Sequence, residues 1–256
     1  MSRHQQNRRP GRHQRGFSMV ELMVAMAITV TLSAGMLNLL MSTRTNNLAQ
    51  NLMEQLQDDQ RLVLTRLIDT VQNAGYVPTP ATIGPSAALP TDTADGFGSP
   101  GQSLGGSTGA SAAASDTLLV RYQASGLVGG VSDGVMDCSG STNAAALPLV
   151  MINTFSVDAS GNLNCTANGN TMPLASGVSN FKVLYGVDTN GDGAVDEYLS
   201  ATAINAQSNP GAYWVAVMSV RVTVTFQNPM LGKPGQTSTN ATMPPIVQII
   251  PVLNLL

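Results

Sequence analysis

From Phe17 to Met41 the chain runs 25 residues with one charge, Glu21, directly after a leader holding Arg3, Arg8, Arg9, Arg12 and Arg15 and no acidic residue. As a helix rising ~1.5 Å per residue, such a run spans a hydrocarbon layer of ~30 Å. The arginine excess holds the leader in the cytoplasm and sends the C-terminal bulk across the membrane. A carboxylate costs roughly 2.5–3.5 kcal/mol at a bilayer centre, so Glu21 calls for a functional reason. A secretory signal cut near Ala25-Met26-Ala27 fits poorly, because Ile28 to Met41 stays apolar where a polar cleavage region belongs. A plain single-pass anchor fits the length and leaves Glu21 unexplained.

The junction Arg15-Gly16-Phe17-Ser18-Met19-Val20-Glu21 resembles the N-terminus of type IV prepilins and type II secretion pseudopilins. The resemblance implies that a prepilin peptidase cuts after Gly16, that Phe17 becomes the N-methylated terminus, and that Glu21 becomes the fifth mature residue. The new amine and the Glu21 carboxylate then lie ~6 Å apart along the axis, about one helical turn. In a filament, Glu21 of one subunit pairs with the Phe17 amine of a neighbour. Such a pair in an apolar core sets register more than it adds stability.

Composition narrows the function further. The leader holds five of the 12 basic residues, so cleavage leaves seven against 15 acidic ones. An acidic mature chain is a poor binder of nucleic-acid phosphates, which need a basic surface. Both histidines, His4 and His13, lie in the leader. Histidine-based triads, general acid–base work and histidine-ligated metals are therefore absent from the mature sequence, and the chain is not expected to be an enzyme. Cys138 and Cys165 follow the membrane segment into an oxidising compartment and form a pair with no third thiol. They read as one disulfide, with two buried free cysteines as the alternative.

The helical pattern continues past Met41. Leu48, Leu52, Leu56, Val63, Leu67 and Val71 recur at fours and sevens, and Asn73-Ala74-Gly75 supplies a stop. One helix over 17–74 is expected, with 17–41 transmembrane. Residues 77–115 are rich in Pro, Gly, Ser, Ala and Thr and read as a flexible surface loop. Strand patterns follow at Thr117 to Gln123 and Leu149 to Val157. Phe181, Val183, Tyr185 and Val187 alternate with more polar positions. Met218, Val220, Val222, Val224 and Phe226 alternate with Ser219, Arg221, Thr223, Thr225 and Gln227. Ile246 to Leu256 is a last apolar strand that Pro251 assigns to an edge. The expected fold is α+β: a long N-terminal helix, membrane-spanning in its first half, packed on an antiparallel sheet within a globular domain over 75–256.

Between two strand candidates, Asp188, Asn190, Asp192 and Asp196 place side-chain oxygens at positions 1, 3, 5 and 9 of an EF-hand-like count, with Gly193 at position 6. That spacing suits Ca²⁺, which takes six to eight oxygen ligands, and the Ala194 carbonyl can add one. Leu199 stands where the bidentate glutamate belongs. The alternative is a hairpin loop with solvated carboxylates.

The segment Phe181 to Asp188 running into the acidic loop, the chain's size and the late Trp214-to-Phe226 strand are similar to PilW-like minor pilins. That resemblance implies a minor pilin that primes a type IV pilus or sits at its tip, with other minor pilins and the major pilin as partners. It places the chain in the inner membrane, domain in the periplasm, before assembly, and in a surface pilus afterwards. A type II secretion pseudopilin and a membrane-anchored Ca²⁺-dependent binding module that never polymerises are the alternatives.

Overall fold

The computed structural model describes residues 16–79, 82–127, 132–234 and 238–254. The chain divides into two compact units, Met1–Gln50 and Asn51–Leu256. Helix α1, Met19–Gln72, is continuous through both. It contains no proline, and Leu and Met are the commonest residues of its first half, so nothing interrupts the backbone ladder.

In the first unit every residue from Gly16 to Arg44 is exposed. Val20, Leu22, Val30, Leu32, Leu37 and Leu40 are among these exposed apolar side chains. By length and composition this helix is long and apolar enough to cross a membrane. Its threonine hydroxyls are satisfied locally: Thr29 Oγ1 donates to the Ala25 carbonyl at 2.7 Å and Thr43 Oγ1 to the Leu39 carbonyl at 2.9 Å. That removes most of the cost of placing a hydroxyl in an apolar medium.

In the second unit the remainder of α1 buries one stripe. Leu56, Val63, Leu67 and Val71 enter the core, the last three completely, at the spacing that keeps side chains on one helical face. The expected stripe is thus correct from Leu56 onward, while Leu48, in the first unit, stays 43 % exposed. The helix stops where the sequence indicates: Gly75 turns at φ 77, and Asn254 Nδ2 donates to the Gln72 carbonyl at 3.0 Å, satisfying a terminal acceptor.

After α1 come α2 (Pro85–Ala88), β1 (Leu104–Ser107), β2 (Thr117–Ala124), β3 (Leu149–Val157), β4 (Leu163–Ala167), β5 (Asn170–Ala175), β6 (Val178–Val187) and β7 (Glu197–Leu199). Then follow α3 (Ala201–Asn205), α4 (Pro210–Val215), β8 (Val217–Phe226) and β9 (Ile246–Pro251). The α+β expectation holds, with two antiparallel sheets in place of one: β1-β2-β3-β4-β5 and β7-β6-β8-β9. The alternation in β8 buries Val220, Val222, Val224 and Phe226 as expected. At its start Val217 is buried instead of Met218, because the β6–β8 register shifts between Gly186 and Val187. Trp214, expected to lead this strand, belongs to α4. Strand β9 is an edge strand ending at Pro251.

The two sheets share one core with α1 and are stitched by Asp116 just before β2. Its amide donates to the Phe181 carbonyl at 2.7 Å, and its carboxylate accepts from the Gly109 and Val183 amides and from Lys182 Nζ.

Residues 77–115, expected as a flexible excursion, instead carry α2 and β1 and bury Leu89, Phe97 and Leu104 completely. The cause is Arg121 on β2, only 1 % exposed. Its guanidinium donates to the carbonyls of Gln102 (2.6 Å), Pro90 (2.6 Å), Leu89 (3.2 Å) and Ser99 (3.3 Å). It also lies over the Phe97 ring at 4.2 Å. Burial lowers its pKa to about 10, well above neutrality, so the clamp stays cationic.

Candidate functional site

The N-terminal segment is built from three consecutive features. Gly16, Phe17 and Ser18 precede α1 in irregular backbone, and all three are exposed, Phe17 at 85 %. The helix then closes its first turn with the Leu22 amide on the Ser18 carbonyl at 3.2 Å. Glu21 sits in that first turn, where the unpaired amides of a helix N-terminus favour a negative charge. The Gly16–Phe17 bond is therefore accessible, and the Glu21 carboxylate lies about one helical turn from Phe17. The arginines of the leader, with His4 and His13, fall outside the described residues.

The acidic loop joins β6 to β7. Asp188 Oδ1 accepts from the amides of Asn190 (3.2 Å) and Gly191 (2.6 Å), and its Oδ2 from Gly193 (2.8 Å). Asn190 Oδ1 accepts from the Asp192 amide at 2.8 Å, and Asp192 Oδ1 from the Ala194 amide at 2.9 Å. The turn passes through Gly191 and Gly193 at φ 79 and 85, left-handed values that suit glycine. Asn190 Nδ2 bridges Asp192 Oδ2 (3.2 Å) and Asp196 Oδ1 (3.1 Å). Thr189 donates to Asp196 Oδ2 from both its amide and its hydroxyl, each at 2.7 Å.

These donors set the electrostatics. The Gly193 amide, foremost among several backbone donors, lowers the Asp188 pKa below the ordinary carboxylate value. The Thr189 hydroxyl, followed by its amide, does the same for Asp196. The structure thus brings Asp188, Asn190, Asp192 and Asp196 into one hydrogen-bonded turn, with the Ala194 amide closing it. Among the described residues no group of three or more His, Cys, Asp or Glu side chains is spaced to hold a metal. The amide of Asn190 lies between two of the carboxylates instead.

Cys138 and Cys165 are disulfide-bonded, with Cα atoms 6.0 Å apart and both residues fully buried. The bridge ties the segment before β3 to the middle of β4, where Cys165 faces Phe155 across the β3–β4 register. The free-thiol alternative is excluded.

Asp116 and Arg121, which fix the geometry of the domain, carry no signal in the sequence. Asp116 follows a run of small residues, and Arg121 occupies a strand position that reads as solvent-facing. Only the sole tryptophan in a chain with 4 % aromatics could have drawn attention to Trp214.

Residues 11–37 match the prokaryotic N-terminal methylation motif, a span that contains Gly16, Phe17 and Glu21. Residues 141–245 match the family described as type IV pilus-assembly protein W, a span running from before β3 to the residue before β9 and including the acidic loop. No curated protein matches the chain.

Proposed function

We propose, from the premise that this chain is a PilW-like type IV minor pilin, that it primes assembly of the pilus or occupies its tip. The matched families are structural and not enzymatic, and they imply contact with the pilus machinery and with other pilins. The observation that carries the finer reading is the N-terminal segment: an exposed Gly16–Phe17 junction, Glu21 in the first helical turn, and a helix surface apolar on every side. Before assembly, that surface is covered by the inner membrane, with the second unit in the periplasm. After cleavage, neighbouring pilin helices replace lipid around it, and Glu21 holds the amine of an adjacent subunit at a fixed axial step. Two apolar environments of similar character exchange at little net cost, so the ion pair selects register.

Prepilin peptidase, other minor pilins and the major pilin are the partners this reading requires. Its direct test is the mass and N-terminal sequence of the chain from cells with and without the peptidase, together with the chain's presence in sheared pili. Methylated Phe17 and recovery in the pilus fraction are expected. A retained leader and a chain confined to the membrane would instead mark a non-polymerising anchor.

For the acidic loop we propose Ca²⁺ as the bound ion. Support comes from oxygen-bearing side chains gathered on one tight turn and from the Asn190 amide, which stands between two carboxylates as a partial positive charge. An ion would replace that amide, turning Asn190 Oδ1 inward, and would order the β6–β7 connection.

A further inference from the structure

Strand β9 is an open edge of the sheet β7-β6-β8-β9. Its register on β8 sets Ile250 against Val220, Gln248 against Val222 and Ile246 against Val224. The phase of the ladder follows from Val252, whose amide donates to the Met218 carbonyl at 2.9 Å. Hydrogen-bonded and non-hydrogen-bonded pairs alternate along an antiparallel ladder, so Ile246, Gln248 and Ile250 are the residues bonded to β8. Val247 and Ile249 therefore turn their N–H and C=O groups away from β8, to the free edge. Among the described residues those two amides and the Val247 carbonyl have no partner, and the Ile249 carbonyl receives only Gln248 Nε2, at 3.1 Å. Pro251 has no N–H and closes the run.

The side chains of the same two residues are open to the outer face of the sheet, Val247 being 56 % and Ile249 50 % exposed. No residue of β9 is charged. Folded proteins ordinarily blunt such an edge, and the other three edges among the described strands are blunted. Helices α3 and α4 pack against β1, whose Leu104 carbonyl is taken by Gln102 Nε2. Strand β5 contains Pro173 and a register shift against β4. Strand β7 is three residues long and begins with Glu197. Only β9 combines unpaired backbone groups with exposed β-branched side chains.

Backbone donors and acceptors at strand spacing are matched by another extended backbone. Apolar side chains at alternate positions, with no charge nearby on the strand, select an uncharged segment with apolar residues at the same spacing. The stretch is short. A free peptide would gain too few bonds over Val247 to Ile249 to offset the entropy of ordering it. A strand already held beside β9 carries no such handicap, because tethering raises its effective concentration. Helix α1 runs from the apolar N-terminal unit into the domain that carries β9, and is that tether when helices of neighbouring subunits pack together. We propose that β9 pairs with an extended, uncharged strand of a neighbouring pilin subunit, which extends this sheet by one strand. The proposal rests on the reading of the chain as a pilus subunit.

The test uses the full chain in cells, carrying Val247→p-benzoylphenylalanine, irradiated and recovered from sheared pili. Mass spectrometry should find an adduct whose second peptide comes from the globular domain of a prepilin-type subunit. Adding Ile249→Pro removes an N–H that faces the free edge and none that bonds β8, so the melting temperature should stay and the adduct yield should fall about tenfold. Ile249→Lys keeps that N–H but sets a charge against an uncharged strand, and should lower the yield with β9 undisturbed. No pilin-derived adduct from a chain that reaches the pili, or a yield unmoved by both substitutions, would overturn the assignment. A chain absent from sheared pili would overturn the pilus reading and this assignment together.

Discussion

The Val183 amide donates to Asp116 Oδ2 at 2.9 Å, joining β6 to the segment that leads into β2. The same carboxylate pairs with Lys182 Nζ at 3.1 Å, the one ion pair among the described residues, with the aspartate side chain 5 % and the lysine 29 % exposed. One residue thus sets how the two sheets meet.

Asp116→Ala should destabilise the second unit by about 2–4 kcal/mol, because it leaves the Gly109 and Val183 amides without acceptors and Lys182 without its partner. Asp116→Asn should lose less, since one amide oxygen still accepts. Urea unfolding followed by circular dichroism measures both. Equal midpoints for Asp116→Ala and the parent would mean that the stitch carries no stability.

Replacing Cys138 and Cys165 by serine together should lower stability by about 3–4 kcal/mol on the chain-entropy model, given their sequence separation of 27. The parent under reducing conditions should approach the variant. The test is a denaturation curve with and without reductant. A parent insensitive to reductant, with both thiols shown free, would remove the bridge from the account of stability.

The order of the acidic loop should depend on pH in one direction. Asp188 and Asp196 have folded pKa values depressed below the ordinary carboxylate value. Their stabilising hydrogen bonds are fully present above the unfolded pKa and are lost as pH falls through the lower, folded values. The amides of Gly191 and Gly193, both bonded to Asp188, should therefore gain hydrogen-exchange rate, relative to the intrinsic rate, only below about pH 4. Acceleration above that pH instead would contradict the assignment of those donors.

Millimolar Ca²⁺ should raise the melting temperature, by mass action on a site present only in the folded state. Asp188→Ala with Asp192→Ala should abolish the shift and keep the fold, since Asp192 is exposed and Asp188 only half-buried on a surface turn. Because the Asn190 amide must turn over before an ion enters, the expected affinity is weak. Calorimetry on the full chain showing neither heat nor thermal shift would return the loop to a self-satisfied turn.

Glu21→Ala should leave membrane insertion intact, because removing a charge makes the segment more apolar. It should reduce recovery in sheared pili, because the neighbour's Phe17 amine loses its partner. Glu21→Gln separates charge from hydrogen bonding. Full incorporation of the alanine variant would show that register is set elsewhere.

The sequence alone determined what local periodicity can encode. The apolar run from Phe17 and the stripe from Leu56 to Val71 repeat at helical spacing, and β6 and β8 alternate strictly enough to fix which face is buried. The Gly16–Glu21 junction needed only its own neighbours to be read, and the cysteine pair only the absence of a third thiol. Tertiary structure decided what depends on distant partners. Arg121 organises carbonyls 19 to 32 positions away, so a stretch with no apolar period of its own folds into an ordered wall. Separate strand pairings make two sheets where alternation alone suggested one, and Asp116 joins them by meeting Val183 across 67 positions. The free edge of β9 is set by β8, which takes alternate backbone groups of β9 in a register that pairs Val220 with Ile250. A short window of sequence shows neither the partner nor the phase, and local patterning carries no information about an edge made by their pairing.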